Sequence, residues 1–225
     1  MGTLTPAALD AMRLAGREAN RCGVPVVLDP VGAGATPYRT EAARQLLEDI
    51  NVAIVRGNSG EVAAIIGQQA VVRGVESLET ALPAAELGAQ AAQQLGVVVA
   101  LTGARDIISD GSVSLAVDHG SPWLKTITGS GCMASAAVAC FAAVAPSSLQ
   151  AAAAALAAYG LAAELAHKPQ IHGPASFKVA LLDAVYGLTA ETLQRAKAVS
   201  YTHLTLPETK TDLVFRLLLE KKKLT

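Results

Sequence analysis

The chain has 225 residues, 52% of them hydrophobic and 16% charged, enough apolar surface for a sizeable core in a single compact domain. Eighteen basic residues balance nineteen acidic ones to a net charge of -1, which offers no basic excess for nucleic acid or an anionic membrane and points to a small-molecule partner. Apolar runs are broken by Glu, Gln, Lys or Gly before bilayer length, no export leader is recognisable, and three cysteines suit neither a disulfide framework nor zinc, so a soluble cytoplasmic protein is expected.

The first predicted element is a helix from Pro6 to Cys22, with Leu9, Met12, Ala15 and Ala19 at helical spacing and Gly23 at its end. Val24 to Leu28 then reads as a buried parallel strand running into Asp29-Pro30 and a glycine-rich loop. The pattern repeats: a helix around Ala42 to Leu47 leads to a strand at Val52 to Val55, and a helix around Leu82 to Leu95 leads to one at Val97 to Leu101. Such alternation implies a mainly parallel α/β sheet with helices on its faces. Val113 to Val117 and Trp123 to Ile127 are expected as an antiparallel pair at one edge, parted by a polar loop. From Cys132 to about Ala196 three helices should follow, broken at Pro146 to Ser148 and at Pro169 to Pro174. In the second, the run Ala151 to Ala155 with Leu156, Tyr159, Leu161 and Leu165 predicts an apolar face in close packing.

Residues 1–198 are therefore assigned to one α/β domain, and 199–225 to a tail of different character. Val199 to Leu204 resembles the translation of a transposase-end sequencing adapter, so the stretch after Ala198 is expected to be artefactual.

Ligands of open α/β sheets bind beyond the carboxyl ends of strands, where Asp29, Arg56, Thr102 and the Gly129 loop stand. Thr128-Gly129-Ser130-Gly131-Cys132 combines glycines that admit a ligand closely with the unpaired N–H groups of a helix start, a cradle for phosphate; a plain strand-to-helix turn would use the same residues. Cys132 at that helix start is a base, a polar contact or a packed thiol, whereas Cys22 and Cys140 read as structural. Arg56 can grip phosphate oxygens in a forked geometry and Glu61 can position magnesium through water, while Asn58 or Ser59 with Glu61 equally suits a helix cap. Asp29 suits an exposed carboxylate near metal or substrate, or a turn cap. Thr102-Gly103 and Asp106 suit a loop facing a nucleotide, and Asp110-Gly111 is a turn. His119, His167 and His172 read as solvated or capping, and neither a Walker A sequence nor a dinucleotide fingerprint is present.

Taken together, Val27 to Thr36, Arg56-Gly57-Asn58 with Glu61, Ala100-Leu101-Thr102-Gly103, Thr128 to Cys132 and Gly173 to Phe177 resemble the hydroxyethylthiazole kinase family of the ribokinase-like superfamily. The resemblance runs to about Ala196. It implies a ribokinase-like fold and ATP-dependent, magnesium-assisted phosphorylation of 4-methyl-5-(2-hydroxyethyl)thiazole in thiamine salvage. By motif, Arg56, Asn58 and Thr102 would contact ATP, Asp29 and Glu61 would organise Mg2+, and Gly129 and Asp29 would lie at the substrate. Gly129, Gly131 and Cys132 would serve catalysis, Cys132 standing where most superfamily kinases have Asp. A homotrimer is the family's assembly. Family members begin before this chain does, so an N-terminal part of the domain is expected to be missing. Two other readings are a dehydratase of hydrated nicotinamide nucleotides on the same fold, which would carry Asp at position 132, and a non-catalytic nucleotide-binding fragment.

Overall fold

The computed structural model describes residues 1–68, 70–72, 78–80, 83–194, 198–202 and 209–210, the pieces at 70–72, 78–80, 198–202 and 209–210 by backbone alone. The chain forms two compact units: Met1–Gly103 with Ile107–Ser114, and Ala104–Asp106 with Leu115–Thr225.

The first unit opens with α1 (Pro6–Arg21), where Thr5 Oγ1 accepts the Ala8 N–H and Pro6 occupies a first-turn position that needs no donor. After β1 (Val26–Leu28), the same Thr-Pro device starts α2 (Pro37–Asp49), capped by Thr36. Arg13 of α1 reaches Asp49 Oδ2 at 2.6 Å and Gln45 Oε1 at 2.7 Å, which ties the two helices together. β2 (Val52–Asn58) runs three residues beyond the expected strand and leads straight into α3 (Ser59–Ile65), the helix for which Asn58 was one of the two N-cap candidates. An antiparallel pair follows, β3 (Ala70–Val72) with β4 (Leu78–Thr80). α4 (Ala84–Leu95) closes on Gly96 in the left-handed region and delivers β5 (Val98–Thr102).

β1, β2 and β5 are parallel neighbours, with Leu28 opposite Val55 and Asn58 opposite Thr102. That register brings the carboxyl ends of all three strands to one edge of the sheet. β6 (Asp106–Ser109) runs antiparallel to β5, Ala100 facing Ile108, and β7 (Val113–Val117) follows it in the order β1-β2-β5-β6-β7. The result is the expected mixed, mainly parallel sheet flanked by helices. Ile54, Val55, Val99, Ala100 and Ile108 are completely buried in it, as Val62 and Leu87 are on the helices. The Asp110 turn is borne out: its carboxylate accepts the N–H groups of Ser112 and Val113. Burial pushes the Asp110 pKa up, but those amides and the Ser112 hydroxyl outweigh it and hold the carboxyl below its usual value.

One edge strand was placed wrongly. Trp123 to Ile127 is no strand; Pro122–Thr126 forms a 3-10 turn in which Ser121 Oγ accepts the Trp123 N–H. Pro122 brings no N–H to a ladder, and the indole packs at 5.6 Å on His167 and 5.8 Å on Phe177, which favours the turn. The partner strand is β6, too short and too polar at its start to stand out in the sequence.

In the second unit α5 (Ser130–Ala142), α6 (Ser148–Ala166) and α7 (Pro174–Tyr186) are the three expected helices, followed by a single turn, α8 (Ala190–Leu193). β8 (Ala198–Thr202) pairs antiparallel with β9 (Thr209–Lys210); most of the expected tail lies outside the described residues. α6 is buried all round from Ala151 to Ala163, not along one face, because alanine lets α5 and α7 approach closely on both sides. By length and mean hydropathy, 1.4, α6 alone among the described helices could cross a membrane, yet 78% of that window is buried in the protein.

Candidate functional site

In the first unit the parallel register places Asp29, one residue past β1, beside Arg56 near the end of β2, and Arg56 beside Thr102 at the end of β5. Arg56 Nη1 donates to Asp29 Oδ2 at 3.3 Å and Nη2 donates to Thr102 Oγ1 at 2.7 Å. Thr102 Oγ1 in turn donates to the Gly57 carbonyl at 3.4 Å. Asp29 is thus not the open carboxylate expected from its loop: its side chain is 12% exposed, that of Arg56 11%, and the two form an ion pair. Desolvated charges persist only when paired, and each is the other's partner. Arg56 Nε is buried with no hydrogen-bond partner, an unfilled donor on a guanidinium whose two other nitrogens are engaged.

Asn58 and Glu61 form a complete capping box at the start of α3. Asn58 Oδ1 accepts the Glu61 N–H at 2.9 Å and Glu61 Oε2 accepts the Asn58 N–H at 3.0 Å. Glu61 Oε1 also accepts the Gly32 N–H at 3.0 Å, from the loop after β1 where Gly32 has φ +77. Of the two alternatives for Glu61, the helix cap is the one seen. The same side chain fixes the Asp29-Pro30-Val31-Gly32 turn.

The Gly129 loop belongs to the second unit. Gly129 adopts φ +94 and is the N-cap of α5, with no side chain capping the helix start. Nothing lies within 4 Å of where a Gly129 Cβ would be, so the glycine answers to backbone conformation and leaves open space above it. The first helical bond runs from the Met133 N–H to the Gly129 carbonyl, which leaves the N–H groups of Ser130, Gly131 and Cys132 ahead of the ladder. Lys178 of α7 approaches the Thr128 carbonyl at 3.5 Å. Cys132 is exposed and so is not a packed core thiol. Cys22 and Cys140 are exposed too, against the expectation of structural burial, because each falls on the outer side of its helix.

His119 departs from the solvated reading: its Nδ1 lies 3.0 Å from Glu164 Oε1, which also accepts the Gly120 N–H at 3.0 Å. His167 is the C-cap of α6 and packs on Trp123, and His172 is exposed. Neither the Glu164 contact nor the Lys178 contact carries a local sequence signal, since the partners are 45 and 50 residues apart.

Among the described residues no group of three or more His, Cys, Asp and Glu could cage a metal ion. Asp29, paired with Arg56, and Glu61, accepting the Asn58 and Gly32 N–H groups, are carboxylate oxygen donors of the kind that magnesium takes alongside water and phosphate oxygens. A cavity of about 560 Å³ in the first unit, lined by Gly34, Thr36, Thr40, Glu41 and Arg44 among others, includes none of the strand-end residues.

The model of the Hydroxyethylthiazole kinase family matches residues 1–191. The hydroxyethylthiazole kinase of Desulforudis audaxviator is 58% identical over 200 residues, covering 88% of this chain and 72% of that protein. That of Chloroflexus aggregans is 52% identical over 199 residues, 88% of this chain and 71% of its own. Among solved structures, the hydroxyethylthiazole kinase protein from Pyrococcus horikoshii OT3 superposes with a TM-score of 0.78 at 35% identity, over 89% of this chain and 74% of that one. A Bacillus subtilis pyridoxal kinase, at TM-score 0.50 and 22% identity over 69% of this chain and 60% of that one, shares the fold. These matches do not favour the dehydratase reading.

Proposed function

The chain belongs to the hydroxyethylthiazole kinase family, and from that premise we propose that it transfers the γ-phosphoryl group of ATP to the primary hydroxyl of the thiazole alcohol, a step of thiamine salvage in the cytoplasm. The observation that carries this reading is the Arg56 cluster: a guanidinium held between Asp29 and Thr102 at the ends of three parallel strands, with a buried Nε donor still unfilled.

Arg56 would bind phosphate oxygens of the nucleotide in a charge-assisted fork, Thr102 would hold the guanidinium plane, and Asn58 would contact ATP beside them. Magnesium, organised by Asp29 and Glu61 through water, would neutralise phosphate charge. The N–H groups after Gly129 and at Gly131 would stabilise charge on the transferred phosphoryl, where positioning and electrostatics supply most of the catalysis. The alcohol oxygen forms the new bond to the γ-phosphorus as the bond to the β,γ-bridging oxygen breaks. ADP leaves with that electron pair, and Cys132 Sγ would accept the hydroxyl proton. Gly129 and Asp29 would also contact the alcohol. Val179, Leu182, Val185 and Tyr186 of α7 are exposed apolar residues, which supports burial against further copies in a homotrimer.

The test is to incubate the purified chain with ATP, magnesium and the thiazole alcohol and follow products by phosphorus NMR. Equimolar ADP and thiazole phosphate are expected; folded protein that yields neither rejects the reading.

A further inference from the structure

We propose that Tyr159 is a positioning residue for the phosphoryl cradle, acting from α6 through the peptide between Ser130 and Gly131. Tyr159 is 7% exposed in a helix otherwise made almost wholly of alanine and leucine, and its hydroxyl donates to the Ser130 carbonyl at 3.0 Å. That carbonyl belongs to the first turn of α5, whose start no side chain caps.

The bond has two effects. It fixes the first turn of α5 against a buried helix, so the N–H groups of Ser130, Gly131 and Cys132 point in one direction before any anion arrives. It also polarises the Ser130–Gly131 peptide: a donor on the carbonyl oxygen makes the N–H at the other end of that peptide, Gly131, a stronger donor. Gly131 N–H is one of the groups ahead of the helix ladder.

α6 also holds the start of the same segment. Glu164 Oε1 accepts the Gly120 N–H and pairs with His119 Nδ1, both at 3.0 Å. Between these points a Cβ on Gly160 would overlap the His119 carbonyl, so the loop backbone lies directly on the helix. The stretch from His119 to Ser130 is thereby clamped at its two ends by one buried helix. A residue that served packing alone would have no need of the hydroxyl.

This role rests on the kinase reading for its kinetic consequence and is independent of it for its structural one. In Tyr159→Phe the ring stays and the donor goes. We expect kcat to fall about threefold to tenfold, the rate equivalent of one ordinary hydrogen bond, with KM for the thiazole alcohol unchanged. The Gly131 amide proton should move upfield in nitrogen–proton NMR, and its titration with inorganic phosphate should need a higher concentration. Leu156→Ala, a packing change one turn away, should lower the thermal midpoint and leave the Gly131 shift in place. Wild-type kcat and a wild-type Gly131 response in Tyr159→Phe overturn the proposal. Should that variant not fold, Glu164→Ala, whose side chain is partly exposed, releases the other clamp and should weaken the Gly131 response to phosphate; an unchanged response there overturns it equally. If the wild-type chain phosphorylates no thiazole alcohol, the kinase reading falls and the Gly131 response still decides the role of Tyr159.

Discussion

Arg56 and Asp29, 27 residues apart in the chain, form an ion pair of 3.3 Å in which both side chains are nearly buried. The pairing, with Thr102, sets the guanidinium plane of Arg56, which is the preorganisation its proposed anion-binding role requires. Arg56→Ala should weaken ATP binding by about 1.5 to 3 kcal/mol, the range for a charge-assisted hydrogen bond. Calorimetric titration checks this, and an unchanged affinity removes Arg56 from the site. The same variant leaves Asp29 desolvated without its cation, so its urea midpoint should also fall, and Arg56→Ala with Asp29→Asn should recover part of that loss.

Asn58→Ala and Glu61→Ala each break the capping box, and each should cost about 1 kcal/mol of stability in urea unfolding. They part company on metal. Glu61→Ala alone should raise the magnesium concentration that half-saturates turnover. Equal magnesium curves for the two variants would leave Glu61 with a structural role only.

Cys132→Ser should leave circular dichroism and the thermal midpoint at wild-type values, since the side chain is exposed. Turnover should fall if Cys132 Sγ is the acceptor of the hydroxyl proton, because a serine hydroxyl does not replace a thiol in that role. Wild-type turnover in this variant would make the thiol dispensable.

Asp110 carries a pH dependence whose sign follows from its lowered pKa. A carboxyl held below its unfolded value contributes stability above that value and loses it as pH falls through the folded one. Asp110→Asn should therefore be destabilised most at neutral pH, and the gap to wild type should close below about pH 4. A gap that stays unchanged as pH falls well below the ordinary carboxylate range would contradict this origin.

Gly160→Ala should be destabilising by about 1 to 3 kcal/mol, the usual range for overpacking, because the new Cβ meets the His119 backbone and not a flexible side chain. Thermal unfolding checks it. A wild-type midpoint would mean the loop can retreat from α6.

Much of the fold is legible in the sequence because its causes are local. Thr5-Pro6 and Thr36-Pro37 start helices, Asn58 with Glu61 builds a cap, and Asp110-Gly111 turns a hairpin, all through contacts within three residues. The apolar runs of β1, β2 and β5 mark buried parallel strands, and the polar residues after them mark the edge proposed to bind ligand. Pro122–Thr126 and β6 escaped that reading because a short segment has too little pattern to separate strand from turn. What only the tertiary structure decided is who meets whom. Strand register, which no single strand contains, set Asp29 and Thr102 against Arg56. The packing of α6 carried Tyr159 to Ser130 and Glu164 to His119 across 29 and 45 residues. The residue types of the site follow from sequence; their pairing follows from long-range contacts whose energy exists only once the chain has closed those loops.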